Sequence, residues 1–286
     1  MKKNIIFTFS FFLSILFVSA QQVQKLGRMV TNSVEQEIAP VISADGRHLL
    51  FMLKGSHGRG WGLHYSVKKG SFFQRGTSLI EINQSEKLNL MGAYCLSADG
   101  SELYFTSKKH GGIGAYDIWK ATRKSNNTFG SIENLGKPLN TNGNEGAPSI
   151  SADGKFLYFM RSRSMEDENN IQGEIWVSER QGNRWGQAKK LPFTQGYSYP
   201  KIFVSNNYLL LTKASQGKIQ FYYSKKQNGQ WQTPKVIESI QNHVNQPFAS
   251  ISHYEKALYF SKKDESSSDL YQGKLLLNEQ PTSVVA

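Results

Sequence analysis

The chain has 286 residues, 34 Lys and Arg against 22 Asp and Glu, a formal charge of +12 and one cysteine. A lone cysteine excludes an internal disulfide framework. The basic excess points to acidic partners or an anionic surface and carries no information about fold.

The chain begins with Lys2 and Lys3, an apolar run from Ile5 to Val18, and the small pair Ser19-Ala20 before Gln21. This order reads as a removable signal peptide over residues 1–20. The run is shorter than the roughly 20 apolar residues that suit a spanning helix, and Thr8, Ser10 and Ser14 interrupt it. No later stretch is apolar enough to span a bilayer. Residues 21–286 are therefore expected to be exported, to the periplasm or the outer envelope, with no transmembrane segment after cleavage.

Past the leader the sequence repeats. Ser43-Ala44-Asp45-Gly46 recurs 54 residues on as Ser97-Ala98-Asp99-Gly100, and again at the same interval as Ser151-Ala152-Asp153-Gly154. Degenerate copies follow at Ser205-Asn206-Asn207 and Ser252-His253-Tyr254. Each copy lies between two β-rich runs, such as Ala147-Pro148-Ser149-Ile150 before it and Leu157-Tyr158-Phe159 after it. Asp-Gly between such runs signals a hairpin, because glycine takes positive φ at little cost. Asp45, Asp99 and Asp153 thus have a turn role that needs no catalysis.

A third strand follows in each unit, as in Tyr116-Asp117-Ile118-Trp119 and Gly173-Glu174-Ile175-Trp176, and a fourth begins near Phe73, Phe129, Trp185 and Trp231. Four short strands in about 50 residues make a propeller blade. The last repeat has only three strands. The segment Leu26-Gly27-Arg28-Met29-Val30 resembles the fourth-strand segment Leu135-Gly136-Lys137-Pro138-Leu139, so residues 25–30 are expected to close the last blade and cover the open edges. The prediction is an all-β fold: one five-bladed β-propeller with four-stranded antiparallel blades over residues 21–286, expected to be a monomer, with a tail from about Asn278 to Ala286. A six-bladed ring stays open if the ends pair differently.

The stretches Glu145-Gly146-Ala147-Pro148-Ser149-Ile150-Ser151-Ala152-Asp153-Gly154 and Gly111-Gly112-Ile113-Gly114-Ala115-Tyr116-Asp117-Ile118-Trp119 resemble the WD40-like PD40 repeat of TolB-like propellers, as in Bacteroidetes envelope proteins. The resemblance spans all five units. It implies an envelope protein with a scaffolding or recognition role. Alanine replaces the usual proline in each Ser-Ala-Asp-Gly turn, and no OmpA-like domain is present.

In a propeller the first strands line the axis, and the loops leading into them share a face with the loops joining second to third strands. The first set places Glu37, Asn89, Asn144, Glu145, Tyr197, Tyr199 and Asn245 around the channel mouth as candidate ligand-binding residues. The second set carries a basic residue in every blade: Lys54, Lys108 with Lys109, Arg161 with Arg163, Lys213, and Lys262 with Lys263, joined by Arg59. Such a rim suits an envelope protein or an anionic polymer such as a cell-wall glycan. A nucleic-acid role is not expected, because the aromatics fall at blade-packing positions.

No catalytic residues are assigned, and no metal or other cofactor is expected: the six histidines are scattered and no nucleophile elbow occurs. Cys95 lies in an apolar run and reads as a buried thiol. Asp117, Glu174 and Asp269 share one third-strand position, which points to a repeated hydrogen bond within each blade. The alternative to a binding propeller is a glycan-active enzyme, a glycoside hydrolase-like five-bladed propeller, for which Glu37 and Glu145 are the candidate carboxylates.

Overall fold

Each Ser-Ala-Asp-Gly stretch folds into the same turn. Ser43, Ser97 and Ser151 donate their hydroxyls to Asp45, Asp99 and Asp153, and accept the N–H groups of His48, Glu102 and Phe156. The aspartates in turn accept the N–H groups of Arg47, Ser101 and Lys155. Gly46, Gly100 and Gly154 close the turns at φ of 72°, 68° and 69°, a region costly for any residue with a Cβ.

The computed structural model describes residues 23–31, 36–54, 61–84, 94–108, 110–124, 128–165, 173–203, 207–215, 218–252, 254–265 and 267–274. The segment expected to be a signal peptide, the expected C-terminal tail, Asn89, Arg59 and Lys109 lie outside the described residues. Five antiparallel sheets follow one another along the chain. The short strand β1 (Gln24–Lys25) precedes the first blade, made of β2 (Gln36–Ile42), β3 (His48–Lys54), β4 (Trp61–Lys69), β5 (Phe72–Phe73) and β6 (Thr77–Ser78). The second holds β7 (Tyr94–Leu96), β8 (Glu102–Ser107), β9 (Asp117–Arg123) and β10 (Phe129–Asn134). The third holds β11 (Asn144–Ile150), β12 (Phe156–Ser162), β13 (Gly173–Gln181), β14 (Arg184–Trp185) and β15 (Lys189–Lys190). The fourth holds β16 (Ser198–Phe203), β17 (Tyr208–Ser215), β18 (Lys218–Gln227), β19 (Gln230–Trp231) and β20 (Lys235–Val236). The fifth holds β21 (Ala249–Ser252), β22 (Ala257–Lys263) and β23 (Ser268–Lys274), and β1 completes it. In the first, third and fourth blades the outer strand is split in two. Helix is confined to α1 (Ile80–Asn83) and a 3-10 turn at Glu238–His243 among the described residues.

The ring closes as expected, one step earlier along the chain. Gln24 pairs with Gln272 and Lys25 with Tyr271, and Leu26 N–H bonds to the Leu270 carbonyl. The strand then ends, because Val30 and Thr31 N–H turn back onto the Gly27 carbonyl. Leu26 and Val30 are buried under that turn.

Aromatic rings join the blades. Phe73 meets Tyr259 of the last blade edge-on at 6.2 Å, Phe129 meets Tyr65 at 5.8 Å and Trp231 meets Tyr158 at 5.9 Å. Opposite each outer-strand aromatic stands a basic residue of the third strand: Lys68 faces Phe73, Arg123 faces Phe129, Arg180 faces Trp185 and Lys226 faces Trp231. Arg123 donates to the Tyr65 hydroxyl at 3.0 Å and Arg180 to the Tyr104 hydroxyl at 2.6 Å, both in the preceding blade. Part of the basic excess is therefore internal stitching. These contacts combine area burial with about 0.5–1 kcal/mol or more per cation–ring pair.

Three first strands carry a bulge at the same place, between Ile38 and Val41, Gly146 and Ser149, and Ser198 and Lys201. At each bulge a non-glycine residue before proline sits in the left-handed region: Ala39 at φ 54°, Ala147 at 49° and Tyr199 at 49°. Such residues cost about 1–3 kcal/mol each and persist where neighbours over-determine them. The neighbours are visible: Tyr94 donates its hydroxyl to the Ala39 carbonyl, and Thr106 Oγ1 accepts Ala147 N–H at 3.1 Å.

Candidate functional site

The bulges decide which first-strand side chains face the axis. By strand register, Val41, Cys95, Ser149, Lys201 and Ser250 stand at one level, one from each blade, opposite Leu50, Tyr104, Tyr158, Leu210 and Tyr259. All five line a cavity of about 40 Å³ that extends toward the alanines of the Ser-Ala-Asp-Gly turns. That volume holds a few waters at most. Ser149 accepts Ile202 N–H at 2.9 Å and Ser250 accepts Ile42 N–H at 2.8 Å, so both serines tie neighbouring blades together.

Lys201 was not among the candidates read from the sequence. Its side chain is buried, and its ammonium donates to the Tyr94 carbonyl at 3.0 Å. Burial pulls its pKa down to about 8, against a smaller opposing influence from Cys95. Cys95 is the buried thiol expected; burial pushes it up to about 11, which keeps it protonated and a poor nucleophile at neutral pH. The signal in the sequence was a lysine at the repeat position that is Val, Cys or Ser in the other four blades.

Of the residues placed at the channel mouth, Glu37, Glu145 and Tyr199 are buried. Glu145 is fully engaged: Oε1 accepts Thr141 Oγ1 at 2.5 Å and Arg161 Nε at 3.1 Å, while Oε2 accepts Thr141 N–H at 2.9 Å. A carboxylate held this way supports a loop and an arginine; a glycosidase acid or nucleophile must instead meet the sugar. Tyr199 packs edge-on against Phe248 at 5.4 Å. Asn144 donates to the carbonyls of Ser162 and Arg163, and Asn245 exchanges two bonds with the backbone of Lys263 at 2.7 and 2.9 Å. Both asparagines tie the loop leading into a first strand to the end of the second strand. Tyr197 packs against Tyr222 at 5.2 Å, and burial holds its phenol above the usual value.

The basic residues form a regular feature. Lys54 lies over Trp61 at 5.9 Å, Lys108 over Tyr116 at 4.4 Å, Arg161 over Trp176 at 4.2 Å, Lys213 over Tyr197 at 5.4 Å and Lys262 over Tyr271 at 5.9 Å. Each blade thus presents one cation on an aromatic ring at the end of its second strand. Arg163 and Lys263 are exposed beside them. By strand register the rings come from three repeat positions: Trp61 and Tyr116 share one, Trp176 and Tyr271 another, and Tyr197 belongs to the loop entering its blade.

The three third-strand acids do not repeat one bond. Asp117 is buried and accepts the N–H groups of Ile113 and Gly114 and the amide of Asn134. Asp269 is buried beside Lys25 at 2.7 Å and Ser267 at 2.9 Å. Glu174 is partly exposed and pairs with Lys190 at 2.5 Å. A different repeat does the expected job: Asn83 and Asn140 each exchange two bonds with the third-strand backbone, at Leu63 and Ile118, and Thr194 accepts Ile175 N–H. The carbonyls of Leu63, Ile118 and Ile175 also accept N–H groups from Leu79, Leu135 and Leu191 of the outer segment.

No protein-family model matches the chain, and no curated protein matches it. Among solved structures, a thermostable family-43 glycoside hydrolase is similar with a TM-score of 0.55 at 13% identity, over 86% of this chain and 91% of that one. The catalytic domain of a GH62 alpha-L-arabinofuranosidase from Coprinopsis cinerea gives 0.50 at 11% identity, over 89% and 96%. TolB from Acinetobacter baumannii gives 0.49 at 13% identity over 84% of this chain and 54% of that one, so the chain spans about half the length of that protein. At these identities the likeness is one of architecture, and the chain is a five-bladed β-propeller whose structural neighbours include TolB.

Proposed function

We propose that the chain is an exported binding or scaffolding propeller of the cell envelope, which recognises a protein segment or glycan of negative charge at its basic, loop-rich face. The observation that carries this reading is the ring of Lys54, Lys108, Arg161, Lys213 and Lys262, one per blade, each laid on an aromatic ring. Stacking limits the rotamer freedom of long side chains and lowers the entropic cost of ordering them against a partner. The narrow axial cavity and the commitment of Glu145 to Arg161 and Thr141 support surface recognition over axial chemistry.

The test is charge reversal. Lys108, Lys109, Lys262 and Lys263 are changed together to glutamate, and partner capture from native envelope is measured against salt. Moving from about 0.1 M to about 1 M salt shortens the screening length from about 10 Å to about 3 Å. Wild-type capture should weaken over that range, and the variant should capture less with a flatter salt response. Unchanged capture by the variant removes the basic face from the binding surface.

A further inference from the structure

The seam between the second and third blades departs from the other seams. At the first seam Arg123 reaches Tyr65, at the seam of fifth and first blades Lys68 pairs with Glu255, and at the seam of third and fourth blades Lys226 lies over Phe156 and Trp231. At the second–third seam the corresponding Arg180 makes the same kind of contact, to Tyr104 and over Trp185, and also forms one wall of a groove of about 270 Å³. Here the outer strand β10 runs unbroken from Phe129 to Asn134, with a bulge between Gly130 and Glu133. The outer strands of the first, third and fourth blades are split.

Four cations line this groove, Lys120, Lys137, Arg180 and Arg184, against one lining carboxylate, Glu133. Two of the cations are spoken for by the protein. Lys120 sits 2.8 Å from Glu133 and 3.1 Å from Glu102, and Arg180 donates to Tyr104 while lying 3.6 Å from Glu102. Burial works against the Glu102 charge, but bonds from Tyr104 and Lys120 hold its carboxyl below the usual range. Lys137 and Arg184 are exposed, and among the described residues neither has an ion-pair partner. The buried Nε of Arg180 has no acceptor either. The side-chain amide of Asn183 adds hydrogen-bonding groups to the wall, whereas that of Asn134 is engaged by Asp117, Gly136 and Asn140.

We propose that this groove binds a small oxyanion, the carboxylate or phosphate of a sugar-sized ligand, between Lys137, Arg184 and Arg180. The groove is concave, carries a surplus of positive charge, and is lined by Lys137 and Arg184, which have no ion-pair partner among the described residues. A planar guanidinium matches an oxyanion in pairs of parallel bonds, and such charge-assisted bonds are stronger than neutral ones. The volume sits at the low end for small-ligand pockets, which suits one ring or headgroup. This site is built mainly from the third and outer strands of two neighbouring blades and shares no residue with the basic rim.

Isothermal titration of residues 21–286 with inorganic phosphate, glucose 6-phosphate and glucuronate tests it. Saturable one-to-one binding of at least one probe is expected. Lys137→Ala and Arg184→Ala should each weaken it about tenfold, the loss of one charge-assisted hydrogen bond, while thermal unfolding stays unchanged because both side chains are exposed. The charge-reversed rim variant should bind as wild type. Preference for glucuronate over the two phosphates identifies the carboxylate source, and the reverse order the phosphate source. Absence of saturable binding to all three probes at millimolar concentration overturns the proposal, as does binding that survives both alanine variants.

Discussion

The ammonium of Lys25, on the first strand of the chain, lies 2.7 Å from the carboxylate of Asp269 on the last, and Asp269 is wholly buried. This pair is the side-chain clasp of a ring whose backbone closure consists of two paired residues and the Leu26 bond. Burial disfavours the charged amine, but the Asp269 bond and charge outweigh it and hold Lys25 above the lysine value of 10.5. A raised pKa means that the stabilisation is complete below the ordinary lysine range and is lost as pH climbs through the folded value. Lys25→Met should cost about 1–2 kcal/mol at neutral pH, between a surface pair and a fully buried one, because the lysine is half exposed. Thermal unfolding should show the gap between wild type and variant narrowing above about pH 10.5. A gap that persists unchanged there would assign the effect to lost packing of the lysine stem.

The repeated turn carries its own acid signature. Asp99 is lowered to about 2 by the Ser101 N–H bond first and then the Ser97 hydroxyl. A depressed carboxyl stabilises above its unfolded pKa and loses that contribution as pH falls toward the folded value, here between about 4 and 2. Asp99 is exposed, so screening leaves only a fraction of a kcal/mol to the charge itself. Asp99→Asn keeps an oxygen for the same N–H and should melt near wild type at pH 7, with a flatter acid limb. Asp99→Ala removes the acceptor and should cost about 1 kcal/mol at pH 7. Equal melting of both variants at pH 7 would show that the hydrogen bonds contribute little.

The architecture was legible because turn chemistry and strand alternation are local. Asp45, Asp99 and Asp153 announce their turns, and the five units fix the blade number once the ends are seen to pair. The side-chain site was less legible because it depends on register. Ala39, Ala147 and Tyr199 each insert a bulge, and a one-residue slip moves every later side chain to the other face of the sheet. Glu37 and Glu145, ahead of their bulges, and Tyr199, within one, are buried, and past the bulges Val41, Ser149 and Lys201 line the axial cavity. The rim cations were legible as a charge series, but their rings fall at three repeat positions, Trp61 with Tyr116, Trp176 with Tyr271, and Tyr197 by itself. Arg180 and Arg184 meet Lys137 only across a seam.

Lys201 makes a prediction with the opposite pH sense to that of Lys25. Its folded pKa is about 8, depressed chiefly by burial. Between that value and the ordinary lysine range the unfolded chain holds a proton that the folded chain has released, so stability rises with pH across the window. Below pH 8 both states are charged and the burial penalty is complete. Lys201→Met fills a similar volume without the charge, and well-packed apolar replacements of buried ionic groups are often stabilising by about 1–4 kcal/mol. The loss of the bond to the Tyr94 carbonyl offsets part of this. The variant should melt higher than wild type at pH 6–7, and its advantage should shrink as pH rises through 8 to 10. A variant less stable than wild type at every pH would show that the Tyr94 bond outweighs desolvation.

Glu145 separates a supporting carboxylate from a catalytic one. Its Oε1 faces two donors, Arg161 Nε and Thr141 Oγ1, and its Oε2 faces the Thr141 N–H. Glutamine has one oxygen and one NH2 group, so whichever way the amide lies, a donor is brought against a donor. Removing one partner of a buried pair costs about 3–5 kcal/mol; Arg161 is partly exposed, with 19% of its side-chain surface accessible, and about 2 kcal/mol is expected for Glu145→Gln. Arg161→Met should cost less, because Thr141 still satisfies both carboxylate oxygens. The double variant should cost less than the sum of the two, since residues in contact couple by about 0.5–3 kcal/mol. Freed from Glu145, Arg161 should also move more over Trp176, which the indole fluorescence reports. A supporting role predicts all of this together with no glycan turnover in wild type or variant. Turnover of any glycan by wild type, abolished by Glu145→Gln at a temperature where the variant is still folded, would instead place Glu145 in an active site and restore the glycan-active reading.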